Sequence, residues 1–239
     1  MKHDPAHPAA RSPHHPLALP ASAWIAAALL ASLAFAASYA GSSHIPLWLF
    51  HNLWHSVYLG ADLSRTFANI TDPASNQDRN QLHPIYSLVG LCLTRLMTAL
   101  GAADLYTAVR LHTALAAALW SAALLIPSVM ITRSTATATL LTAIGMMSAA
   151  SVYFWTVPET FPIGGLFVLL ALILAAASSV QQGRIGLTIL AAAGTLAFSL
   201  SNYITGLLLC CVRHRGPRLI VALVGSFLVV LVLWLVQVI

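Results

Sequence analysis

Acidic residues are so scarce in this chain that each one is a candidate for chemistry. The stretch from Asp62 to Pro84 is strongly polar, lies between apolar segments and holds three of the six acids, namely Asp62, Asp72 and Asp78. Arg65 follows Asp62 by three residues, and His83 closes the stretch. A carboxylate can take a proton from a hydroxyl group, and a guanidinium can bind a phosphate. A polar segment of this length between hydrophobic elements is typically functional or disordered, and we predict a catalytic face here.

Asp62 and His83 each allow two interpretations. Asp62 is either a general base or the salt-bridge partner of Arg65, because residues three apart lie on the same face of a helix. An exposed pair of this kind contributes only about 0–1 kcal/mol, so stability alone is a weak reason for it. His83 either bonds a phosphate or packs locally, with Pro84 as the first residue of a helix.

Three further polar residues lie next to apolar runs, namely Arg110, Glu159 and Asn202. A charge inside a membrane helix is costly and indicates a functional site, although Arg110 is close enough to its helix start to reach lipid headgroups. Glu159, the only glutamate, follows Pro158 at a helix start, where free N–H groups favour a carboxylate. Glu159 is therefore either a helix cap or a catalytic group. Asn202 either contacts substrate or satisfies backbone groups at a break in a membrane helix.

The composition indicates an integral membrane protein. Of the 239 residues, 59% are hydrophobic and 7% are charged, and the mean hydropathy is +0.84. Soluble proteins have about 25% charged residues. The net charge of +5 does not indicate nucleic-acid binding, because the arginines are scattered between apolar runs instead of forming a stripe. The three cysteines have no metal-ligand spacing and are interpreted as packing residues.

The apolar runs predict an all-α, polytopic membrane bundle with about seven transmembrane helices. Residues 1–20 are predicted to be a disordered cytoplasmic tail, and residues 21–239 a single transmembrane domain. Within it, residues 41–103 are predicted to form an extracytoplasmic loop with interfacial helices. Spans are predicted over residues 21–40, 104–131, 136–155, 161–177 and 219–239, and the apolar run 185–212 is interrupted near Asn202. Ile85–Leu100 would be about 24 Å long, shorter than the roughly 30 Å hydrocarbon core, so we predict an interfacial position.

Two topologies place the cations differently. If every apolar run crosses once, Arg133 and Arg184 fall outside, together with Arg65 and Arg79. If Ile85–Leu100 stays in the interface and the run 185–212 turns back, seven cations are cytoplasmic, namely Lys2, Arg11, Arg133, Arg184, Arg213, Arg215 and Arg218. The positive-inside rule favours the second topology. That topology also gathers five polar residues at one outer face, namely Asp62, His83, Arg110, Glu159 and Asn202.

The order of features is one span, an outer loop with an acid, a His-Pro before a short helix, an Arg entering the next span, a further acid and a broken hairpin. This order resembles the membrane module of the C-type glycosyltransferases, such as protein O-mannosyltransferases and the lipid A aminoarabinose transferase. Asp62 stands where the family has its first-loop catalytic acid. His83-Pro84 resembles the family's HPP element, and Ala108-Val109-Arg110-Leu111 its Arg-Leu helix start. Asn202-Tyr203 stands where many members have Thr-Lys.

The resemblance implies a glycosyltransferase of a bacterial inner membrane that moves a sugar from a polyprenyl-phosphate donor to an acceptor hydroxyl at the extracytoplasmic face. Asp62 and Glu159 are the expected catalytic residues, and the expected substrate-binding residues are Arg65, His83, Arg110 and Asn202. The expected partners are membrane lipid and the donor, with no nucleic acid. No cofactor is expected, and one or two acids do not specify a divalent metal ion. The alternative is a non-catalytic membrane subunit, a transporter with a cavity at the midplane, or an inactive fragment of such an enzyme.

Overall fold

The computed structural model describes residues 19–51, 57–58, 61–75, 83–177 and 184–238, and every structural statement below concerns these residues. They form ten α-helices, a 3-10 helix at Leu47–Phe50 and a two-residue antiparallel pair, Val57–Tyr58 with Ala61–Asp62. The helices are α1 (Ala21–Ser43), α2 (Leu63–Thr71), α3 (Tyr86–Ala99), α4 (Leu105–Thr132), α5 (Thr135–Met146), α6 (Ala149–Thr156), α7 (Thr160–Ala177), α8 (Ile185–Phe198), α9 (Tyr203–Arg213) and α10 (Pro217–Val238). The predicted all-helical architecture is confirmed. Most of the predicted tail, residues 1–18, lies outside the described residues.

Four helices are long and apolar enough to cross a membrane: α1, α4, α7 and α10. Helices α5 and α6 together form a fifth candidate that is bent by 65°. The predicted span 136–155 is therefore present as a broken helix pair and not as one straight helix. The chain breaks at Met147 and Ser148, where the Ser148 hydroxyl accepts from the N–H of Ser151 and starts a new helix. The structure supports four or five spans of full length, and the predicted count of seven is not confirmed.

Helices α1 and α4 are antiparallel, so the chain between them returns to the end of the bundle from which it left. At one end Ser22 of α1 hydrogen bonds to Thr135, just beyond α4, over 3.2 Å between hydroxyl oxygens. At the other end His51, just beyond α1, hydrogen bonds to Tyr106 in the first turn of α4. Helices α2 and α3 belong to the segment of chain between His51 and Tyr106. The prediction that Ile85–Leu100 does not cross the membrane is consistent with this path, since the segment from His51 to Tyr106 begins and ends at one end of the bundle.

Helices α8 and α9 form an antiparallel hairpin that turns at residues 199–202. Near the turn, Gly206 of α9 faces Thr195 of α8. Farther from the turn, Nε2 of His214 in the chain after α9 is hydrogen bonded to the hydroxyl of Thr188 in α8, at 3.0 Å. The predicted reversal of the run 185–212 is confirmed. The 14 residues of α8 extend about 21 Å, so the turn lies well short of the roughly 30 Å needed to cross a hydrocarbon core.

The charged residues are divided between the two ends of the bundle. The end at which α4 begins, here called the acidic end, carries every described acid, namely Asp62, Asp72, Asp104 and Glu159. The end at which α4 terminates, here called the arginine end, carries five arginines, namely Arg133, Arg184, Arg213, Arg215 and Arg218. A cavity lined by Val129, Arg133 and Ala176 shows that α4 and α7 terminate together at the arginine end.

Candidate functional site

Glu159 connects the start of α7 to the start of α2. Its side chain is buried, with 6% of the residue exposed. One carboxylate oxygen accepts the backbone N–H of Asp62 at 3.0 Å, and the other accepts the N–H of Thr160 at 3.2 Å. The predicted capping role is thus present, but only one of the two bonds belongs to the helix that follows. The other brings together two acids that are 97 residues apart in the chain.

Asp62 uses its backbone for this contact and keeps its carboxylate at the surface. Its side chain is 30% exposed, and one carboxylate oxygen lies 3.9 Å from the guanidinium of Arg65, whose side chain is 46% exposed. The salt bridge considered from the sequence is therefore formed. Its length and exposure make it weak, about 0–1 kcal/mol. The carboxylate is partly exposed, and Arg65 is the cation nearest to it in the chain.

His83 lies against the broken hairpin. Its Nδ1–H donates to the carbonyl oxygen of Phe198 at 2.5 Å, and the N–H of Ile85 donates to the carbonyl oxygen of Ala197 at 3.2 Å. Both acceptors are in the last turn of α8, whose carbonyls have no partner within the helix. The local packing role is therefore present. Because a carbonyl only accepts, Nδ1 carries the proton, and in the neutral ring Nε2 is left as an acceptor.

Asn202 packs against the first turns of α7. A side-chain carbon built on Gly164 would lie 2.8 Å from the Asn202 amide nitrogen, so the absence of a side chain at Gly164 makes room for the amide. Gly164 follows Glu159 by five residues. Asn202 precedes α9 but makes no capping hydrogen bond to it, so the predicted satisfaction of broken backbone groups is not seen in this described segment. The turn of the hairpin thus lies beside the helix that carries Glu159.

Arg110 lies in the second turn of α4. The 28 residues of α4 extend roughly 42 Å, about 12 Å more than a hydrocarbon core. Since α4 is aligned with the start of α1 at the arginine end, the excess lies at the acidic end and includes Arg110. The cost of a charge in lipid is therefore not the reason to single out this residue. The reason is its Nε, which is buried and has no acceptor among the described residues.

Asp104 begins α4 beside this arginine. Its carboxylate accepts the N–H of Thr107 at 2.7 Å and caps the helix. Hydrogen bonds from Thr107, and secondarily the positive charge of Arg110, lower the pKa of the Asp104 carboxyl group below its usual value. Asp104 is therefore ionised at neutral pH and contributes negative charge next to Arg110.

A buried polar junction between α2, α3 and α4 was not selected from the sequence. His112 is 2% exposed, and its Nδ1 has no partner among the described residues. Its ring lies opposite Gly90 of α3, which in turn packs against Ile70 of α2. The hydroxyls of Thr66 and Thr94, on α2 and α3, are also buried without a described partner. The only sequence signal was a histidine two residues after Arg110 in an apolar run.

An apolar groove of about 270 Å³ runs between α1, α5 and α6. It is lined by Leu33, Ala37, Ser38, Met146, Met147, Val152, Trp155 and Thr156. The bend between α5 and α6 opens this groove, and the hydroxyl of Ser38 donates to the carbonyl oxygen of Trp155 at 2.5 Å to hold α6 against α1. The groove ends at Thr156, three residues before Glu159.

The part of the chain that is described contains no group of three His, Cys, Asp or Glu side chains that could hold a metal ion. No protein-family model, no curated protein and no solved structure matches this chain. The arrangement at the acidic end therefore has to be interpreted from its own geometry. It combines a partly exposed carboxylate, a buried carboxylate that binds the N–H of the same residue, an arginine Nε without an acceptor among the described residues, and an apolar groove nearby.

Proposed function

We propose that this chain is a membrane glycosyltransferase of the C type, which moves a sugar from a polyprenyl phosphate to an acceptor hydroxyl at the acidic end of the bundle. The observation that carries the proposal is the hydrogen bond from the Asp62 N–H to Glu159. It joins the acid of the first loop to the acid at the start of α7. The sequence-based proposal would have failed if these two residues had lain at opposite ends.

In the proposed reaction, the Asp62 carboxylate takes the proton of the acceptor hydroxyl while that oxygen forms a bond to the anomeric carbon. The bond from the anomeric carbon to the phosphate oxygen breaks, and its electron pair leaves with the polyprenyl phosphate. Arg110 and Arg65 stabilise the charge on this leaving group, because a guanidinium matches two phosphate oxygens. Glu159 orients Asp62 through its backbone, and His83 and Asn202 line the substrate-binding side.

The polyprenyl tail of the donor needs an apolar surface next to this chemistry. We assign it to the groove between α1, α5 and α6, whose lining is almost entirely apolar and which ends three residues before Glu159. A tail bound there would lie along the bent helix pair, in the half of the bundle nearer the acidic end.

The charge distribution supports an orientation for this enzyme. The positive-inside rule assigns the arginine end to the cytoplasm, because cytoplasmic loops carry an excess of Lys and Arg. The acidic end then faces the extracytoplasmic side, and α1 enters the membrane from a cytoplasmic N-terminus. A bacterial inner membrane satisfies this proposal, since polyprenyl-phosphate sugars are consumed at its outer face by the family that the sequence resembles.

The test is transfer from radiolabelled polyprenyl-phosphate sugars by the chain reconstituted in liposomes, with release of polyprenyl phosphate as the readout. Asp62→Asn should reduce the rate at least 100-fold, the usual contribution of a general base being about 10²–10⁴. Asp72→Asn, a matched change at an exposed acid of the same end, should leave the rate within about twofold. Full activity of Asp62→Asn would exclude Asp62 as the general base. An absence of turnover with every donor would refute the proposal that this chain is a transferase.

One observation favours a second candidate, a non-catalytic membrane subunit. Asp62 is paired with Arg65, and both carboxylate oxygens of Glu159 are bonded to backbone N–H groups. Such pairing is what a purely structural pair of acids would show. In that case the wild-type chain would show no turnover with any donor, and Asp62→Asn would change only stability, by about 0–1 kcal/mol.

A further inference from the structure

A group of four arginines at the arginine end has no described carboxylate near it. It comprises Arg184 before α8, Arg213 at the end of α9, and Arg215 and Arg218 around the start of α10. The ion pair between Asp62 and Arg65 is at the opposite end, and every described acid lies there too. These four guanidinium groups, here called the arginine cluster, therefore present uncompensated positive charge within the described residues.

Arg213 shows that the cluster has an unused donor. One of its terminal nitrogens donates to the carbonyl oxygen of Leu174 in α7, at 3.4 Å. This bond holds the side chain across the ends of α7 and α9. Its Nε is buried and has no acceptor among the described residues. A buried donor without an acceptor is costly, so an anionic acceptor bound at this Nε would stabilise the folded protein.

The turn between α9 and α10 places Arg215 and Arg218 close in the chain to a buried histidine. His214 is 5% exposed, and its ring bonds to the hydroxyl of Thr188 in α8 at 3.0 Å. Burial, with the positive charges of Arg213 and Arg218, lowers the pKa of His214, so the ring is neutral at pH 7. Gly216 then adopts a positive φ of 54°, and α10 starts with Pro217. The N-terminus of α10 adds its own partial positive charge at this point.

We propose that the arginine cluster binds the phosphate of an anionic phospholipid from the adjacent membrane leaflet. The surfaces next to the cluster favour a lipid over free phosphate. Val212, Ile220 and Val221 are 43%, 63% and 53% exposed and provide apolar surface for acyl chains beside the guanidinium groups. Basic sites between helix ends on the positively charged side of membrane proteins are where anionic headgroups bind. The proposal is independent of the transferase proposal, because it concerns the opposite end of the bundle.

The experiment measures binding of short-chain phosphatidylglycerol and phosphatidylcholine to the purified full chain in a neutral detergent, by the concentration dependence of the thermal unfolding midpoint. Phosphatidylglycerol should bind at least tenfold more tightly than phosphatidylcholine. Arg218→Gln should weaken phosphatidylglycerol binding about fivefold, the effect expected for one interfacial arginine. Arg133→Gln removes the same charge at the same end but outside the cluster, and should change binding by less than about twofold.

Arg213→Gln should weaken binding by more than Arg218→Gln, because it also removes the buried Nε. If Arg213→Gln does not fold, the exposed Arg218 keeps the proposal testable. Equal losses for Arg218→Gln and Arg133→Gln would show a general charge effect and overturn the site. Equal binding of the two phospholipids would also overturn it. Competition by millimolar inorganic phosphate as effective as that by phosphatidylglycerol would assign the cluster to free phosphate instead of a lipid.

Discussion

At the scale of single residues, the most informative group is the one glutamate. A buried carboxylate is costly unless its oxygens are hydrogen bonded. Glu159, of which 6% is exposed, meets this need with two backbone N–H groups. One of these donors belongs to Asp62 and lies on a different element. Glu159 therefore has a structural role whether or not it touches substrate. Substitution of Glu159 should therefore lower the free energy of unfolding.

Glu159→Gln should lower the free energy of unfolding by about 1–3 kcal/mol, because the amide keeps only one acceptor oxygen and places an N–H₂ against a backbone donor. Denaturant titration in mixed micelles measures this change. The matched control is Asp72→Asn, because Asp72 is exposed and its carboxylate, within the described part of the chain, bonds to the nearby N–H of Ala74. Its effect should stay within about 0.5 kcal/mol. Equal effects of the two substitutions would mean that the contact between Asp62 and Glu159 contributes nothing.

At the scale of elements, close approach of helices decides the shape of the acidic end. The hairpin of α8 and α9 depends on Gly206, where a side-chain carbon would meet the Thr195 hydroxyl and would lie 3.1 Å from the Ala192 Cα. The carbonyls at the end of this hairpin are then satisfied by His83 and Ile85. The short hairpin and the start of α3 thus stabilise each other. Loosening the hairpin should also disturb the residues around Asn202.

Gly206→Ala should destabilise the protein by about 1–3 kcal/mol, because the new methyl group overpacks against backbone atoms that cannot rotate away. Gly186→Ala is the matched control in the same hairpin, since among the described residues its added carbon would meet nothing within 4 Å apart from its chain neighbours and the nearby backbone of its own helix. There the helix propensity of alanine should leave stability unchanged or raise it by up to about 1 kcal/mol. Thermal unfolding of both variants in the same detergent measures the difference. A neutral Gly206→Ala would contradict the close packing of α8 on α9.

At the scale of the whole molecule, the separation of charge sets the topology. Both termini of the loop 44–104 lie at the acidic end, because α1 and α4 are antiparallel. Helix α3 therefore cannot place its end on the other side, although its residues are largely apolar. The five arginines and the described acids are then separated by the thickness of the bundle.

Single cysteines in a background lacking Cys92, Cys210 and Cys211 test this topology. Asp72→Cys and Ala103→Cys should react with a membrane-impermeant maleimide from the same side, because α3 returns to its starting end. Arg133→Cys and Arg215→Cys should react only from the opposite side, measured in intact cells and inverted vesicles. Labelling of Asp72→Cys and Ala103→Cys from opposite sides would mean that α3 crosses the membrane.

From the amino-acid sequence alone we could predict the all-helical class, the approximate ends of the four long apolar helices and the reversal of the run 185–212. The interfacial position of Ile85–Leu100 stays a prediction. Hydropathy and helix length depend only on the residues of a local segment. They can therefore be predicted without knowing which other segments pack against it. The break at Ser148 was missed, because the apolar pattern continues through it.

The folded chain was needed to show that Glu159 binds the N–H of Asp62, that His83 bonds to Phe198 and that Arg110 lies in the excess length of α4. In a membrane, both the lipid-facing and the buried sides of a helix are apolar, so no periodicity shows which faces meet. Contacts between residues about a hundred positions apart depend on the packing of several such helices at once, and no single segment contains that information.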